Sequence, residues 1–377
     1  MRLLHTADWQ IGKSFRQFGD KESVVRQARL TAIEALGKLA LREGAAHILV
    51  AGDIYDSDAP TDRTLLEPLE RMRPFTGATW HLLPGNHDPH RPKGVWDRLS
   101  DPRTGLPANI RLHLKPEPVA LGSDAVLLPA PLTRKSEGGD ITDWFDHAPT
   151  PTGVMRIGLA HGAVIGFGSD GDASNPVDPR RPERAGLAYL ALGDWHRTLR
   201  VNPAVWYAGT PEPDRAGSQE TGQALIVDIA GPGAPAVVAA HPVGTYRWLT
   251  LEARIADSAD LDDLETRLRA LPNLSATLLR LTLHGSLPLT GRADLERRLS
   301  RLEAAFFNLS VDMQGVVARP TQRDLETIDF HGVLRQAADR LQAISSDAER
   351  PAEERRRAAT ALIELFVLAS KSEVAPA

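Results

Sequence analysis

The sequence predicts an α/β core followed by a smaller α+β unit and C-terminal helices. Three observations carry this. Short apolar, β-rich runs alternate with helix-period segments over roughly the first 230 residues. After residue 245 the pattern restarts as a compact β-α-β-α-β unit. Two helix-period stretches then close the chain.

The elements follow in order. Leu3-Leu4-His5-Thr6 is a short apolar run that turns polar, and reads as the first strand. Within 23–43, Val25, Ala28, Ala32, Leu36, Leu39 and Ala40 recur at helical spacing, and Gly44 is a suitable stop. The run 47–51 reads as a buried strand. A helix at 61–73 and a strand at 79–83 repeat the unit. Further strands are expected at 110–114, 125–129, 154–160, 187–192, 204–208 and 223–229. This stretch is poor in helix, so part of the sheet is expected to be antiparallel. Gly231-Pro232-Gly233-Ala234-Pro235 is a turn, after which strands are expected to continue to about Val243. Beyond it, strands are expected at 247–255, 275–284 and 309–318, and helices at 259–271 and 292–307. Final helices near 329–345 and 352–370 are split by Ser345-Ser346-Asp347 and Pro351, and the last aligns Ala359, Leu362, Ile363, Phe366 and Ala369 on one stripe. The expected division is 1–245, 246–320 and 321–377.

Composition removes several chemistries. With no cysteine there is no disulfide framework, no cysteine zinc site and no thiol nucleophile. A bound metal would rest on His, carboxylate, amide or backbone donors. The net charge of −5 argues against a uniformly basic nucleic-acid coat, though a local patch is compatible with it. The N-terminus has no apolar signal-peptide core, and no run approaches the ~20 apolar residues of a membrane span. A soluble cytoplasmic protein without membrane association is expected.

Five segments carry chemistry, each just after a strand-like run. They are Asp8-Trp9-Gln10-Ile11-Gly12, Gly52-Asp53-Ile54-Tyr55-Asp56, Gly85-Asn86-His87-Asp88, Ala160-His161-Gly162 and Gly193-Asp194-Trp195-His196. Carboxyl ends of strands in α/β sheets are where ligands gather. Pooled, the segments offer Asp8, Gln10, Asp53, Asn86, His161, Asp194 and His196 as donors for divalent cations. Seven donors, one of them bridging, suffice for two cations. Two cations about 4 Å apart suit phosphate esters, because together they activate water and offset charge on the phosphoryl oxygens.

These segments resemble the calcineurin-like metallophosphoesterase superfamily. The wording HTADWQIGKSF, AGDIYDSDAP, LLPGNHD and YLALGDWHR is similar to its SbcD-like branch of DNA double-strand-break repair nucleases. The resemblance covers roughly residues 1–230 well and the remainder by architecture alone. It implies a four-layer αββα sandwich carrying a small capping domain. It implies that Asp8 and His196 hold a first metal, Asp53 bridges, Asn86 and His161 hold a second, and His87 acts as the catalytic histidine. Asp56 matches a position that supports the loop. Two positions depart from the family: Gln10 and Asp194 stand where it has histidines. An oxygen-richer donor set favours Mn²⁺, with Mg²⁺ as the alternative.

The implied activity is metal-dependent DNA nuclease chemistry. The implied partners are DNA, an SbcC-like SMC-family ATPase and a second copy in a homodimer. In that branch the C-terminal helices hold the ATPase coiled coil, and the stripe Leu362, Ile363, Phe366 fits either that docking or packing within the chain. Lys13, Arg16, Arg91 and Arg181 are candidate DNA contacts from their places beside or between the metal segments. Two alternatives stay open: hydrolysis of small nucleotide phosphodiesters, and a catalytically weakened DNA-end-binding scaffold suggested by Gln10 and Asp194. His5 and His81 read as core residues, and His47 and His90 as surface ones. Trp9 and Trp195 read as packing around the ligand loops, with base stacking as the alternative.

Overall fold

The structure, a computed structural model, describes residues 1–166, 175–217, 220–318 and 333–372, with backbone alone for 318 and 366–372. The chain divides into two compact units, Met1–Trp248 and Leu249–Ala377.

In the first unit, β1 (Arg2–Thr6) leads through a short 3-10 segment to α1 (Glu22–Glu43). Then come β2 (His47–Val50), α2 (Asp62–Met72), β3 (Thr79–Leu82), α3 (Val95–Ser100) and β4 (Ile110–Leu112). The second half holds β5 (Val119–Leu121), β6 (Ala125–Ala130), β7 (Met155–His161), β8 (Ala163–Val164), β9 (Pro176–Val177), α4 (Arg181–Ala185), β10 (Tyr189–Gly193), β11 (Leu199–Arg200), β12 (Val205–Tyr207) and β13 (Thr221–Asp228). Strand β14 (Val237–Ile255) begins in this unit and continues into the next, joining into one strand the runs expected to about Val243 and at 247–255.

Two mixed sheets result. One orders β14-β13-β1-β2-β3-β4, the other β11-β12-β10-β7-β6-β5. Strands β1 to β4 are parallel neighbours, and so are β6, β7, β10 and β12. Strand β13 is antiparallel to both β1 and β14. Alternation along the strands builds the layers. On β2, Ile48 and Val50 pack with Ile33, Leu36 and Trp80 under the helices. Leu49 and Ala51 point the other way, into the inter-sheet layer with Leu127, Ile157 and Leu159. The far face of the second sheet packs Leu128, Ala160, Leu190 and Leu192 against Phe145 and Ala185. The unit is therefore an αββα sandwich.

Helix α1 ends as its sequence requires. Gly44 takes φ 69° and returns its N–H to the Ala40 and Leu41 carbonyls. Helix α2 is capped by Thr61, whose side chain accepts the Thr64 N–H.

The second unit comprises the end of β14, then α5 (Ser258–Arg269), β15 (Thr277–Leu287), α6 (Leu289–Glu303), β16 (Asn308–Ala318), α7 (Val333–Ser346) and α8 (Ala352–Ser372). Strands β15 and β16 pair in parallel, with α6 as their crossover. Leu261, Leu264, Leu281, Leu283, Leu295 and Leu302 are among its core residues. A small second core joins Leu289 of α6, Ala338 of α7 and Leu362 of α8, with Ile363 partly buried beside them. Leu362, at the middle of the expected stripe, thus faces its own chain. The Phe366 and Ala369 side chains, and the expected helix start before 333, lie outside the described residues. No helix among the described residues is long and apolar enough to cross a membrane.

Candidate metal centre

Parallel pairing brings the carboxyl ends of β1, β2, β3, β7 and β10 to one edge of the sandwich. Asp8 follows β1, Asp53 follows β2, and Gly85–Asp88 follow β3. His161 ends β7 and lies in register with Gly193 of β10. Cross-links between the sheets fix the two halves. Asp194 N–H donates to Asp8 Oδ1 at 3.1 Å, and His161 Nδ1 donates to the Ala51 carbonyl at 2.8 Å.

The backbone here is bent out of its ordinary range. Asp8, Gln10, Asp53 and Asp194 have φ of 56°, 43°, 53° and 100°, four of the seven non-glycine residues with positive φ among those described. Such conformations cost about 1–3 kcal/mol each and persist where surrounding bonds over-determine them. The bonds are present: Gln10 N–H to Asp53 O (2.9 Å), Ile11 N–H to Ile54 O (2.8 Å) and Asp8 N–H to Gly52 O (3.1 Å). Gly52, at φ 85°, is needed for a second reason. A Cβ there would sit 2.3 Å from His161 Nδ1.

Donor atoms of Asp8, Asp53 and His161 lie within 4.8 Å of one another, and all three residues are buried. His161 Nε2 is 3.5 Å from Asp53 Oδ1 and 3.7 Å from Asp194 Oδ1. Asn86 Nδ2 donates to Asp194 Oδ1 at 3.0 Å. That leaves Asp8 Oδ2, Asn86 Oδ1 and His161 Nε2 buried with no hydrogen-bond partner. Buried polar atoms are rarely left so, because each costs about 1–3 kcal/mol. Two oxygens and one imidazole nitrogen without partners form a donor set that fits a divalent cation.

Electrostatics agree. Burial pushes the Asp8 carboxyl up to about 6 and raises Asp194 as well. Burial alone would depress His161, but Asp53, Asp8 and Asp194 outweigh it and hold the imidazole up to about 9. A cation would relieve all of these groups. The Nδ1 bond to Ala51 O also sets the ring so that Nε2 faces the carboxylates.

Around this set, Asp88 is a brace and not a donor. Its oxygens accept the Gly85 (2.7 Å) and Tyr55 (3.0 Å) N–H groups, and burial keeps its pKa well above the ordinary carboxylate range. His87 donates its own N–H to Asp53 Oδ1 at 2.9 Å, and its Nδ1 lies 3.2 Å from the Asp56 carbonyl. Its ring remains partly exposed, with Nε2 3.9 Å from Asp53 Oδ2.

Gln10 and His196, both expected as metal donors, have protein partners. Lys13 Nζ donates to Gln10 Oε1 at 2.5 Å and to Asp214 Oδ2 at 2.8 Å. Gln10 Nε2 faces His196 Nε2 at 3.3 Å, and His196 Nδ1 meets Asp214 Oδ2 at 3.1 Å. Lysine only donates, so the amide oxygen must face it. The Gln10 carbonyl expected as a metal donor is therefore already engaged. Among the described residues the side chains leave one cluster, sized for one cation.

The candidate DNA contacts separate. Lys13 lines a groove of about 390 Å³ with Arg26 and Arg63. Arg16 is exposed at the start of the 3-10 segment, and Arg91 is exposed and paired with Asp58 at 3.0 Å. Arg181 is not a surface contact. It is 1% exposed and bonded to Asp140 and Asp146 at 2.8 Å, and to Asp143. Its place in a Pro-rich loop suggested reach, but three aspartates hold it inside. Trp9 is buried and donates to Thr6, as packing predicts, whereas Trp195 is 39% exposed. His5 is a satisfied core residue between Tyr189 OH (2.9 Å) and the Leu192 carbonyl (3.2 Å). His47 is half-buried and not a plain surface residue, because it bonds His81.

Sequence reasoning missed Asp214, Arg29 and Glu212. Asp214 is held well below the carboxylate range: burial opposes this, but His196, Arg29 and Lys13 outweigh it. Arg29 is buried on α1, donates to the Trp9 carbonyl at 2.7 Å and covers the Phe15 ring. Glu212 accepts the Thr245 and Tyr246 N–H groups. The available signal was two acids within the Pro-containing turn Thr210-Pro211-Glu212-Pro213-Asp214.

Comparison with known proteins agrees with this architecture. The chain is 24% identical to the D component of the SbcCD nuclease of Bacillus subtilis over 339 residues, covering 72% of this chain and 84% of that protein. It is 28% identical to the Rhodobacter capsulatus protein of the same name over 286 residues, covering 62% and 68% respectively. The Escherichia coli K12 counterpart is 34% identical over 90 residues, 23% of this chain and 21% of that one. The calcineurin-like phosphoesterase family matches residues 1–242, and with its sandwich and donor set in place the chain belongs to that family.

Proposed function

We propose that this chain is a divalent-cation-dependent nuclease that hydrolyses DNA phosphodiester bonds. The observation that carries the reading is the buried cluster of Asp8, Asp53 and His161 at the strand ends, with Asp8 Oδ2, Asn86 Oδ1 and His161 Nε2 left without partners. The relatives' name, that of a nuclease, supports the choice of substrate class.

Asp8, Asp53, Asn86 and His161 would hold the cation, and Asp194 is fixed beside them by Asn86. Mn²⁺ is the proposed ion and Mg²⁺ the alternative, since carboxylate and amide oxygens outnumber nitrogens. The cation supplies Lewis-acid activation of water and offsets phosphoryl charge. The protein's own groups orient and protonate. Asp53 receives the His87 N–H, which fixes the loop that carries His87. The Asp56 carbonyl accepts from His87 Nδ1, which leaves Nε2 for a leaving sugar oxygen, and the ring would donate from Nε2 as the imidazolium. Lys13 and the basic groove beside it would follow the phosphate backbone. Trp195, exposed beside Asp194, would stack on a base.

The relatives' name marks them as one part of a larger nuclease. By that likeness an SbcC-type ATPase partner, a homodimer and a role in DNA break repair are proposed for this chain. The second unit is proposed as the capping and partner-binding part.

The test is hydrolysis of linear single- and double-stranded DNA in Mn²⁺ or Mg²⁺, with Asp53→Ala as blank and bis-p-nitrophenyl phosphate as a small substrate. DNA cleavage that Asp53→Ala abolishes is the expected result. Turnover of the small ester alone would redirect the reading to small phosphodiesters. Equal inactivity of both proteins, with DNA still bound, would leave a scaffold.

A further inference from the structure

The unpartnered atoms of the centre are unevenly distributed. Asp8 Oδ2, Asn86 Oδ1 and His161 Nε2 have no protein partner, and Asp8 and His161 cluster with Asp53. On the Gln10 side, both polar atoms of Gln10 and both ring nitrogens of His196 have protein partners. The positive charge there is Lys13, bonded to Gln10 Oε1 and Asp214 Oδ2, with Arg29 Nη2 4.0 Å from the same carboxylate oxygen. Asp214 Oδ1 is also buried without a partner, as are Arg29 Nε and Nη2. The Asp214 carboxylate thus faces a guanidinium as well as the Lys13 ammonium. The side chain of Asp214 is 2% exposed, whereas that of Lys13 is 27% exposed. The carboxylate is thus an inner anchor and the ammonium reaches solvent beside the cation cluster.

We propose that Lys13 takes the place of a second cation. The centre then holds one divalent ion, on the Asp8–Asp53–His161 side, and Lys13 is the second positive group that meets a phosphoryl oxygen. Gln10 fits this arrangement where histidine would not. Its carbonyl accepts from the ammonium while its amide N–H donates to His196 Nε2, a donor and an acceptor on one terminal carbon, whereas the imidazole donor and acceptor lie on opposite sides of the ring. Asp214 is a positioning residue: it fixes the His196 ring and the Lys13 head together. The inference rests on the cation-dependent reading above.

The experiment counts Mn²⁺ per full-length chain by equilibrium dialysis with elemental analysis. Electron paramagnetic resonance then separates isolated from coupled ions. Calorimetry on the Mn²⁺-loaded protein measures binding of inorganic phosphate. The wild type is expected to bind one Mn²⁺ with an uncoupled spectrum. Lys13→Met is expected to weaken phosphate binding about tenfold or more, the loss of one charged hydrogen bond. Lys13→Arg is expected to retain most of it, which guards against a folding artefact. Two Mn²⁺ per wild-type chain, or unchanged phosphate affinity in Lys13→Met, would overturn the inference and leave the nuclease reading intact. No bound Mn²⁺ would overturn both.

Discussion

Replacing His81 by glutamine should flatten the acid sensitivity of the first unit by about one proton. His81 is 3% exposed on β3, between His47 of β2 and His113 beyond β4. Its Nε2 lies 3.0 Å from His47 Nδ1, and its Nδ1 lies 2.9 Å from His113 Nε2. With neutral rings the two bonds run in one sense, each ring donating once and accepting once. A proton added to His81 would make both its nitrogens donors, and Arg111 on β4 adds repulsion. Burial first, then His113, His47 and Arg111, hold its pKa down to about 2 from 6.5. For a base whose folded value is depressed, the stabilising contribution is full above 6.5 and is lost as pH falls. From 6.5 to pH 5 is about 1.5 units at 1.36 kcal/mol each, or ~2 kcal/mol. Against a domain stability of about 5–15 kcal/mol this is measurable. Buried carboxyls with raised values, Asp8 near 6 and Glu212 near 7, act with the opposite sign. They cancel when wild type and His81→Gln are compared. All seven tryptophans lie in the first unit, so fluorescence-monitored denaturation at pH 7, 6 and 5 reports that unit alone. The variant is expected to lose ~2 kcal/mol less between pH 7 and 5. Parallel profiles would refute the buried neutral chain of imidazoles.

Other outcomes follow from the same geometry. Mn²⁺ must displace a proton from His161, held up to about 9, so apparent affinity should rise about tenfold per pH unit between 6 and 9. Calorimetry in buffers of different ionisation heat checks the proton release, and a flat affinity profile would contradict it. Arg181→Ala should cost about 3 kcal/mol, because it strips three aspartates of their buried partner, while DNA affinity stays unchanged. Filter binding and urea melts of the same samples separate the two effects. Leu362→Ala should destabilise the second unit by about 2–5 kcal/mol, since Leu362 is fully buried against Leu289 and Ala338. Hydrogen exchange in α6, α7 and α8 reads that loss, and unchanged protection would favour an outward-facing stripe.

Much of the sandwich was legible because its strands are buried and its helices amphipathic. The expected helix at 61–73 and the observed α2 at Asp62–Met72 differ by a residue at each end. Elements set by few residues were not legible: α3 is six residues long, and β8 and β9 have two each. The donors near β1, β2, β3 and β7 could be read because each follows an apolar run, and Asp53, Asn86 and His161 also stand by a glycine. Asp214 could not, because it meets His196 and Lys13 only after β12 returns the chain to the site. Gln10 was read by residue type as a donor. Its engagement depends on Lys13, a neighbour whose role is set by folding and not by spacing. Arg181 failed for the matching reason, since Asp140, Asp143 and Asp146 are distant in sequence and close in space.

On the proposed reading, the unpartnered donors at the strand ends hold a divalent cation. Diffraction at the manganese edge from crystals grown with Mn²⁺ tests it most directly. An anomalous peak in contact with Asp8 Oδ2, Asn86 Oδ1 and His161 Nε2 is the result the account predicts. No peak there at saturating Mn²⁺, or a peak only among surface carboxylates, would contradict it.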